Sequence, residues 1–357
     1  MIDFTIIGGG VLGLFLATEL KERFPDKEVI VLEQEPFCGD HTSGRNSGVI
    51  HSGIYYPTDS KKHLFCLQGN QMWEAIAKKL NVELNRCGKF IFATKEQENE
   101  LQELHQRALA NKVPARFVSP EELAQIQEFV FADNALFVSS TGIVDTSSVV
   151  KALEYECEKK EAYILRNHKV TSITKTENGF EVSAGEEKIQ TTHLFNCAGL
   201  FAIDVRKMLG KTDLENQYVR GTYFKTYQKY FKDSLLYPVP QKNLKGLGVH
   251  TTFDQDTLRF GPDTEDIQEV SYQLSTQNLE KMKSEIPKVF KGIELEKVSP
   301  DYCGIRPKIL HNGKLHTDFW IQTDKETEIP GYHELCGIES PGLTSAPAIA
   351  KHLVDTL

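Results

Sequence analysis

The sequence has no Cys-x-x-Cys pair, no long apolar run, no excess of positive charge and no second complete glycine-rich nucleotide motif. Each absence removes a class of function. The seven cysteines, Cys38, Cys66, Cys87, Cys157, Cys197, Cys303 and Cys336, are odd in number and scattered, and they read as reduced, mostly structural thiols. The longest apolar runs, such as Val11 to Ala17 and Val29 to Leu32, fall far short of the roughly 20 residues that cross a hydrocarbon core. Membrane association is therefore expected to be absent or peripheral. With 50 acidic against 41 basic residues the formal charge is -9, so no uniform positive field attracts a phosphate backbone and no nucleic acid partner is expected. Met1 and Asp3 lead straight into a strand-like run without the basic stretch and cleavage site of a secretory signal, which predicts a cytoplasmic protein. No metal site, internal repeat or low-complexity tract is read from the chain.

What is present fits a two-domain enzyme. At 357 residues with 40% hydrophobic content, the chain can fill two packed cores. The clearest local signal runs from Phe4 to Ala17: a short β-branched strand, the glycines Gly8, Gly10 and Gly13, then a helical apolar pattern that includes Val11 and Leu12. In a dinucleotide site Gly8 allows the turn, Gly10 lets a pyrophosphate approach the backbone, and Gly13 lets helix and strand pack closely. The helix N-terminus then faces the phosphates. A second strand, Glu28 to Leu32, ends at Glu33, whose carboxylate is placed to accept hydrogen bonds from the ribose hydroxyls of an adenosine and to repel a 2′-phosphate. These residues leave open which dinucleotide binds.

Asp40 to Tyr56 follows as a Gly/Ser/Asn loop with an embedded Arg45. Small residues let backbone amides close around a phosphate or a flat ring, and Arg45 offers a charge-assisted bond to an anion. At this point the chain resembles the D-amino-acid-oxidase-like flavoprotein superfamily, and within it the L-2-hydroxyglutarate dehydrogenase/oxidase family. The resemblance rests on Gly8 to Gly13 with Glu33, on the string Ser43 to Tyr56, and on Asn196-Cys-Ala-Gly199. It continues through Arg220-Gly-Thr-Tyr223, Tyr237-Pro-Val-Pro240, Gly248-Val-His250, Gly304-Ile-Arg306 and Glu339 to Ser345, and so spans nearly the whole chain.

The resemblance implies an extended FAD, with its adenosine on Glu33, its pyrophosphate on the first glycine loop and its isoalloxazine near Arg45 to His51. The cofactor contacts expected are Gly8, Gly10, Val11, Leu12, Gly13, Glu33, Thr42, Ser43, Arg45, Asn46, Ser47, Val170, Ala198, Gly199, Arg306, Pro341, Gly342, Leu343 and Thr344. Pro341-Gly342-Leu343-Thr344 opens a helix whose free amides and positive dipole end suit negative charge on a reduced flavin. Oxidising an alcohol beside a carboxylate needs a base, a cation and a flavin face. His51 is the candidate base, with an ordinary pKa near 6.5 suited to neutral pH, and Arg306 is the candidate carboxylate clamp because a guanidinium matches a carboxylate with two parallel donors. Tyr56, Arg220, Tyr237 and His250 are further candidates for contact with a small anionic substrate. The residues alone do not separate L-2-hydroxyglutarate from glycerol-3-phosphate, an amino acid or a shorter hydroxy acid; that choice follows from the resemblance.

The expected fold is α/β, a Rossmann-like FAD-binding domain with an inserted antiparallel-sheet α+β substrate domain. The pieces 1–80, 140–215 and 301–357 are assigned to the first, and 81–139 and 216–300 to the second. Helix is predicted over Asp145 to Lys160. Antiparallel strands are predicted at Tyr218 to Tyr227, Leu235 to Val239, Gly246 to Thr252 and Thr257 to Phe260. Typical bacterial members of the family carry a longer stretch before the Gly-x-Arg motif that docks them on the membrane. Here Gly261 to Gly304 is short and polar, with Glu265, Asp266, Glu269, Glu280, Lys281, Lys283 and Glu285, a poor membrane surface. The electron acceptor is thus oxygen, a quinone or a carrier protein. A disulfide reductase or NAD(P)H-dependent monooxygenase is disfavoured because Gly246-Leu-Gly248 lacks the required third glycine. A non-catalytic dinucleotide-binding module would need neither His51 nor Arg306.

Overall fold

The fold is that of a computed structural model, which describes residues 1–231, 233–240, 249–254, 257–274 and 276–357. Its largest sheet has eight strands. The apolar, β-branched segments Ile2–Ile7 and Val29–Leu32 pair in parallel at its centre, flanked by Ala162–Leu165 on one side and Glu187–Asn196 on the other. Glu187–Asn196 divides its far edge. Its first half pairs antiparallel with Gly179–Ala184, and its last residues pair in parallel with Tyr332–Cys336. The parallel strands bring their carboxyl ends to one edge, where Gly8, Glu33, Cys197 and Gly337 follow them in the chain. Ligands of such sheets bind at that edge.

Helices cover one face of this sheet. Val11–Arg23 packs against Thr146–Lys159 and Gly342–Asp355, and the latter packs against Lys61–Leu80. Leu14, Leu16, Ala17 and Leu20 meet Val29, Val31, Phe195, Ile349 and Leu353 in a single buried core. The predicted start of the helix after Asp145 holds, because the Asp145 carboxylate accepts the backbone N–H groups of Ser147 and Ser148 and so satisfies two otherwise free donors. All seven cysteines are free, five of them buried.

The rest of the chain forms two main sheets. Leu214–Thr226 pairs with Ser299–His311, Thr257–Phe260 and Glu265–Ile267 in a six-stranded sheet. A four-stranded sheet runs Leu235–Pro238, Lys89–Ala93, Asn134–Val138 and Ala115–Phe117. Phe90, Phe92, Phe224, Phe260, Met282, Ile286 and Phe290 share one core between these sheets and the helix Thr276–Val289. Three expectations need correction. Leu235–Pro238 runs parallel to Lys89–Ala93, because residue alternation fixes which face is buried and not strand direction. The boundaries at 215/216 and 300/301 each cut a continuous strand, since Leu214–Thr226 and Ser299–His311 pair along their whole length; the segment through His316 goes with the six-stranded sheet. The strand expected at Gly246 to Thr252 starts at Thr251 and runs to Asp254, and residues 246–248 lie outside the described residues.

Candidate active site

One cavity of about 1100 Å³ runs from the carboxyl edge of the parallel strands to the wall formed by the smaller sheets. Its inner half is built from the first glycine turn. Gly8 sits at φ +111°, a conformation side chains rarely adopt, and a Cβ there would meet the carbonyl oxygen of Cys197 at 2.4 Å. Gly10 caps the helix Val11–Arg23 without any side-chain bond, so the first amides of the helix point at the cavity. A Cβ on Gly10 would approach only Ser43 Oγ closely, at 2.9 Å, and would otherwise project into the space a pyrophosphate needs. Val11 N–H already donates to Ser43 Oγ.

Gly13 has the packing role expected of it but is not the cofactor contact it was also taken to be. It does not line the cavity, and a Cβ there would lie 2.0 Å from the Gly8 carbonyl oxygen, so it permits helix and strand to touch. Glu33 lines the cavity where a ribose is expected, with one carboxylate oxygen accepting from Gly9 N–H at 2.7 Å and the other from Glu35 N–H at 2.9 Å. Burial pushes this carboxyl above its ordinary pKa, and the two amides oppose the shift.

Leu12, Thr42, Ser43, Arg45, Asn46, Ser47, Val170, Ala198 and Gly199 all line the same cavity. The 40s loop is held in shape by its own polar groups: Asn46 Nδ2 donates to the carbonyls of Thr42 and Ser43, and its Oδ1 accepts from Gly48 N–H. The Arg45 guanidinium stacks 4.1 Å over the Tyr272 ring while Nε donates to the Asp40 carbonyl. Pro341, Gly342 and Leu343 bring an uncapped helix N-terminus to the other side. Thr344 stands behind them, fully buried, accepting His51 N–H at 2.9 Å and donating to the Val49 carbonyl. These features suit an extended dinucleotide. Gly10→Glu is expected to yield folded, colourless protein, checked by the flavin-to-protein ratio after purification. A full flavin complement in that variant would contradict the assignment.

The outer half brings together His51, Tyr56, Tyr237, His250 and Arg306. His51 is half-buried and lines the cavity. Its main chain is pinned by Thr344, Asn70 and Cys66, Nε2 lies 3.2 Å from Ser340 Oγ, and Nδ1 is buried without a partner. Burial, reinforced by the positive charge of Lys89, pushes its pKa down to about 3, well below the ordinary value assumed from sequence. The imidazole is therefore neutral at physiological pH in the free protein.

Arg306 lies on Ser299–His311 and reaches the cavity past Gly221, where any Cβ would crowd the guanidinium nitrogens at 3.1 Å. Its only hydrogen bonds among the described residues are two long ones, 3.4 and 3.5 Å, to the Asp263 carbonyl. No carboxylate among those residues pairs with it. Arg220 is the opposite case and corrects the expectation for it. The register that sets Arg220 opposite Glu265 lets Nε and Nη2 bond that carboxylate, and Arg220 does not line the cavity.

Sequence reasoning gave no role to Lys62, Lys308, Glu339 or Ser340. Glu339 accepts from both Lys62 and Lys308 at 2.9 Å. Burial works against its ionisation, yet the two ammonium groups hold its pKa below the usual carboxylate range. Lys308 was legible in principle, because it lies two residues beyond Arg306 on one strand and shares its face.

A family model described as FAD dependent oxidoreductase matches residues 3–356. An L-2-hydroxyglutarate dehydrogenase from Escherichia coli O17:K52:H18 is 30% identical, covering 99% of this chain and 93% of that protein. A glycerol 3-phosphate dehydrogenase from Caloramator mitchellensis is 28% identical over 100% of this chain and 74% of its own length. Among solved structures, the L-alpha-glycerophosphate oxidase of Mycoplasma pneumoniae with FAD bound superposes with a TM-score of 0.88 at 24% identity, covering 99% of this chain and 93% of that one. The glycine turn, the buried acid after the second strand and the full-length match agree: the chain belongs to the FAD dependent oxidoreductase family, and FAD is its cofactor.

Proposed function

We propose that the protein oxidises L-2-hydroxyglutarate to 2-oxoglutarate. The observation that carries this reading is the pairing, in one cavity, of a neutral, half-buried His51 with an Arg306 guanidinium that forms no salt bridge among the described residues. Similarity to L-2-hydroxyglutarate dehydrogenases over nearly the whole chain supports the choice of substrate. Arg306 holds a carboxylate through two parallel donors, and His51 Nε2 accepts the proton of the neighbouring hydroxyl. Ser340, within reach of Nε2, orients the ring. Bound FAD supplies the acceptor for the hydride on the substrate carbon. Gly8, Gly10, Glu33 and the loop from Thr42 to Ser47 hold the cofactor, while Tyr56, Tyr237 and His250 line the substrate end.

The reading places the enzyme in the cytoplasm, passing electrons to oxygen, a quinone or a carrier protein. No helix among the described residues is long and apolar enough to cross a membrane. The helix Thr276–Val289 turns Met282 and Ile286 inward and exposes Glu280, Lys281, Ser284 and Lys288, which supports a polar outer surface. Purified protein given L-2-hydroxyglutarate and an artificial electron-accepting dye, without lipid, should form 2-oxoglutarate in step with dye reduction. Absence of 2-oxoglutarate under those conditions would overturn the assignment.

A further inference from the structure

Lys89 opens the strand Lys89–Ala93 and is completely buried. Its neighbours along the sheet are Leu235 and Val138, so the stem packs among apolar side chains. Among the described residues the ammonium has no hydrogen-bond acceptor and no carboxylate partner. It sits instead against two aromatic faces, 4.3 Å from the ring centre of Tyr55 and 4.8 Å from that of Tyr237. Both rings line the cavity, and the Tyr237 ring centre lies 4.2 Å from that of His250, tilted by 34°. A desolvated ammonium without a counter-charge is an expensive arrangement, which aromatic faces offset only in part.

We propose that Lys89 is the buried positive charge that selects an anionic substrate, acting through Tyr55 and Tyr237 as a positioning residue, and that the anion binds together with one proton retained on Lys89. The proposal rests on the substrate reading above for the identity of the anion. Burial pushes the Lys89 pKa down to about 7, so the empty site holds a mixture of charged and neutral lysine near physiological pH. A carboxylate entering the cavity favours the charged form. By linkage, affinity is full below pH 7 and falls as pH rises through that value, by about tenfold per unit for one proton. The other titratable groups facing Lys89 are His51, Tyr55, Tyr237, Cys66 and His250. His51 is already neutral above pH 5, and burial raises the tyrosines and the thiol far above neutrality. His250 is controlled by substitution.

The test measures binding of glutarate, which has no hydroxyl to oxidise, to the FAD-loaded protein from pH 6 to 9, read by perturbation of the flavin spectrum, with acetate as a single-carboxylate comparison. The parent should weaken about tenfold per unit above neutrality and take up close to one proton per site. Lys89→Met, which removes an unpaired buried charge and should fold, is expected to bind at least tenfold more weakly at pH 6.5 with no pH dependence. Lys89→Arg should keep affinity across the range, and His250→Gln should keep the parent's profile. A parental profile in Lys89→Met, or a flat one in His250→Gln, would overturn the role of Lys89 and leave the substrate reading standing. Lys89-dependent binding of acetate with none of glutarate would do the reverse. No binding of either anion would overturn both.

Discussion

Replacing His51 with Ala is expected to lower turnover by about a hundredfold or more, with a much smaller change in substrate binding. The side chain is a neutral imidazole that lines the cavity with Nε2 3.2 Å from Ser340 Oγ. Its backbone contacts to Thr344 and Asn70 survive the substitution, so the loop should keep its place. The pH dependence supplies a second check. Because its folded pKa is depressed to about 3, His51 stays neutral in the free enzyme as pH falls through 6.5. The profile of kcat/KM, which reports the free enzyme, should therefore show no acid limb between pH 5 and 7 from this residue. An acid limb near 6.5 that disappears in His51→Ala would show that the imidazole titrates normally, against this account of its burial.

Replacing Arg306 with Leu should act on binding. Losing a charge-assisted bidentate contact weakens substrate by about 2 kcal/mol, roughly thirtyfold in KM, while flavin content is unchanged. Lysine at this position should recover only part of the loss, since a point charge does not reproduce the fork. An unchanged KM in Arg306→Leu would remove Arg306 from the substrate site. The same substitution at Arg220 is expected to act through stability instead, because it leaves Glu265 without its cationic partner.

The contrast between these two arginines shows where sequence reasoning reaches its limit. Both sit in short motifs on neighbouring strands, and both are plausible anion clamps. Which one is neutralised depends on Arg220 falling opposite Glu265, a pairing across 45 residues that composition and alternation do not reveal. Lys89 was passed over for a similar reason. A lysine opening an apolar strand reads as its solvent end, and its burial follows from Leu235–Pro238 and Asn134–Val138 packing on either side and Tyr55 and Tyr237 lying against it. The glycine turn, Glu33 and the Asp145 helix start were legible because their physics is local: a positive φ, an acid following a strand, a carboxylate on free amides. Gly13 was given the right packing task, and only its place among the cofactor contacts fails, since the contact it makes is between helix and strand and not with the cavity.

The most direct measurement is anaerobic bleaching of the bound flavin by L-2-hydroxyglutarate, D-2-hydroxyglutarate, lactate, glycerol-3-phosphate and a panel of amino acids. The arrangement of Arg306, His51 and an anion-selective wall predicts that L-2-hydroxyglutarate bleaches fastest. Faster bleaching by an amino acid or by lactate would contradict the substrate assignment, and failure of every compound to reduce the flavin would contradict the catalytic role of the cavity.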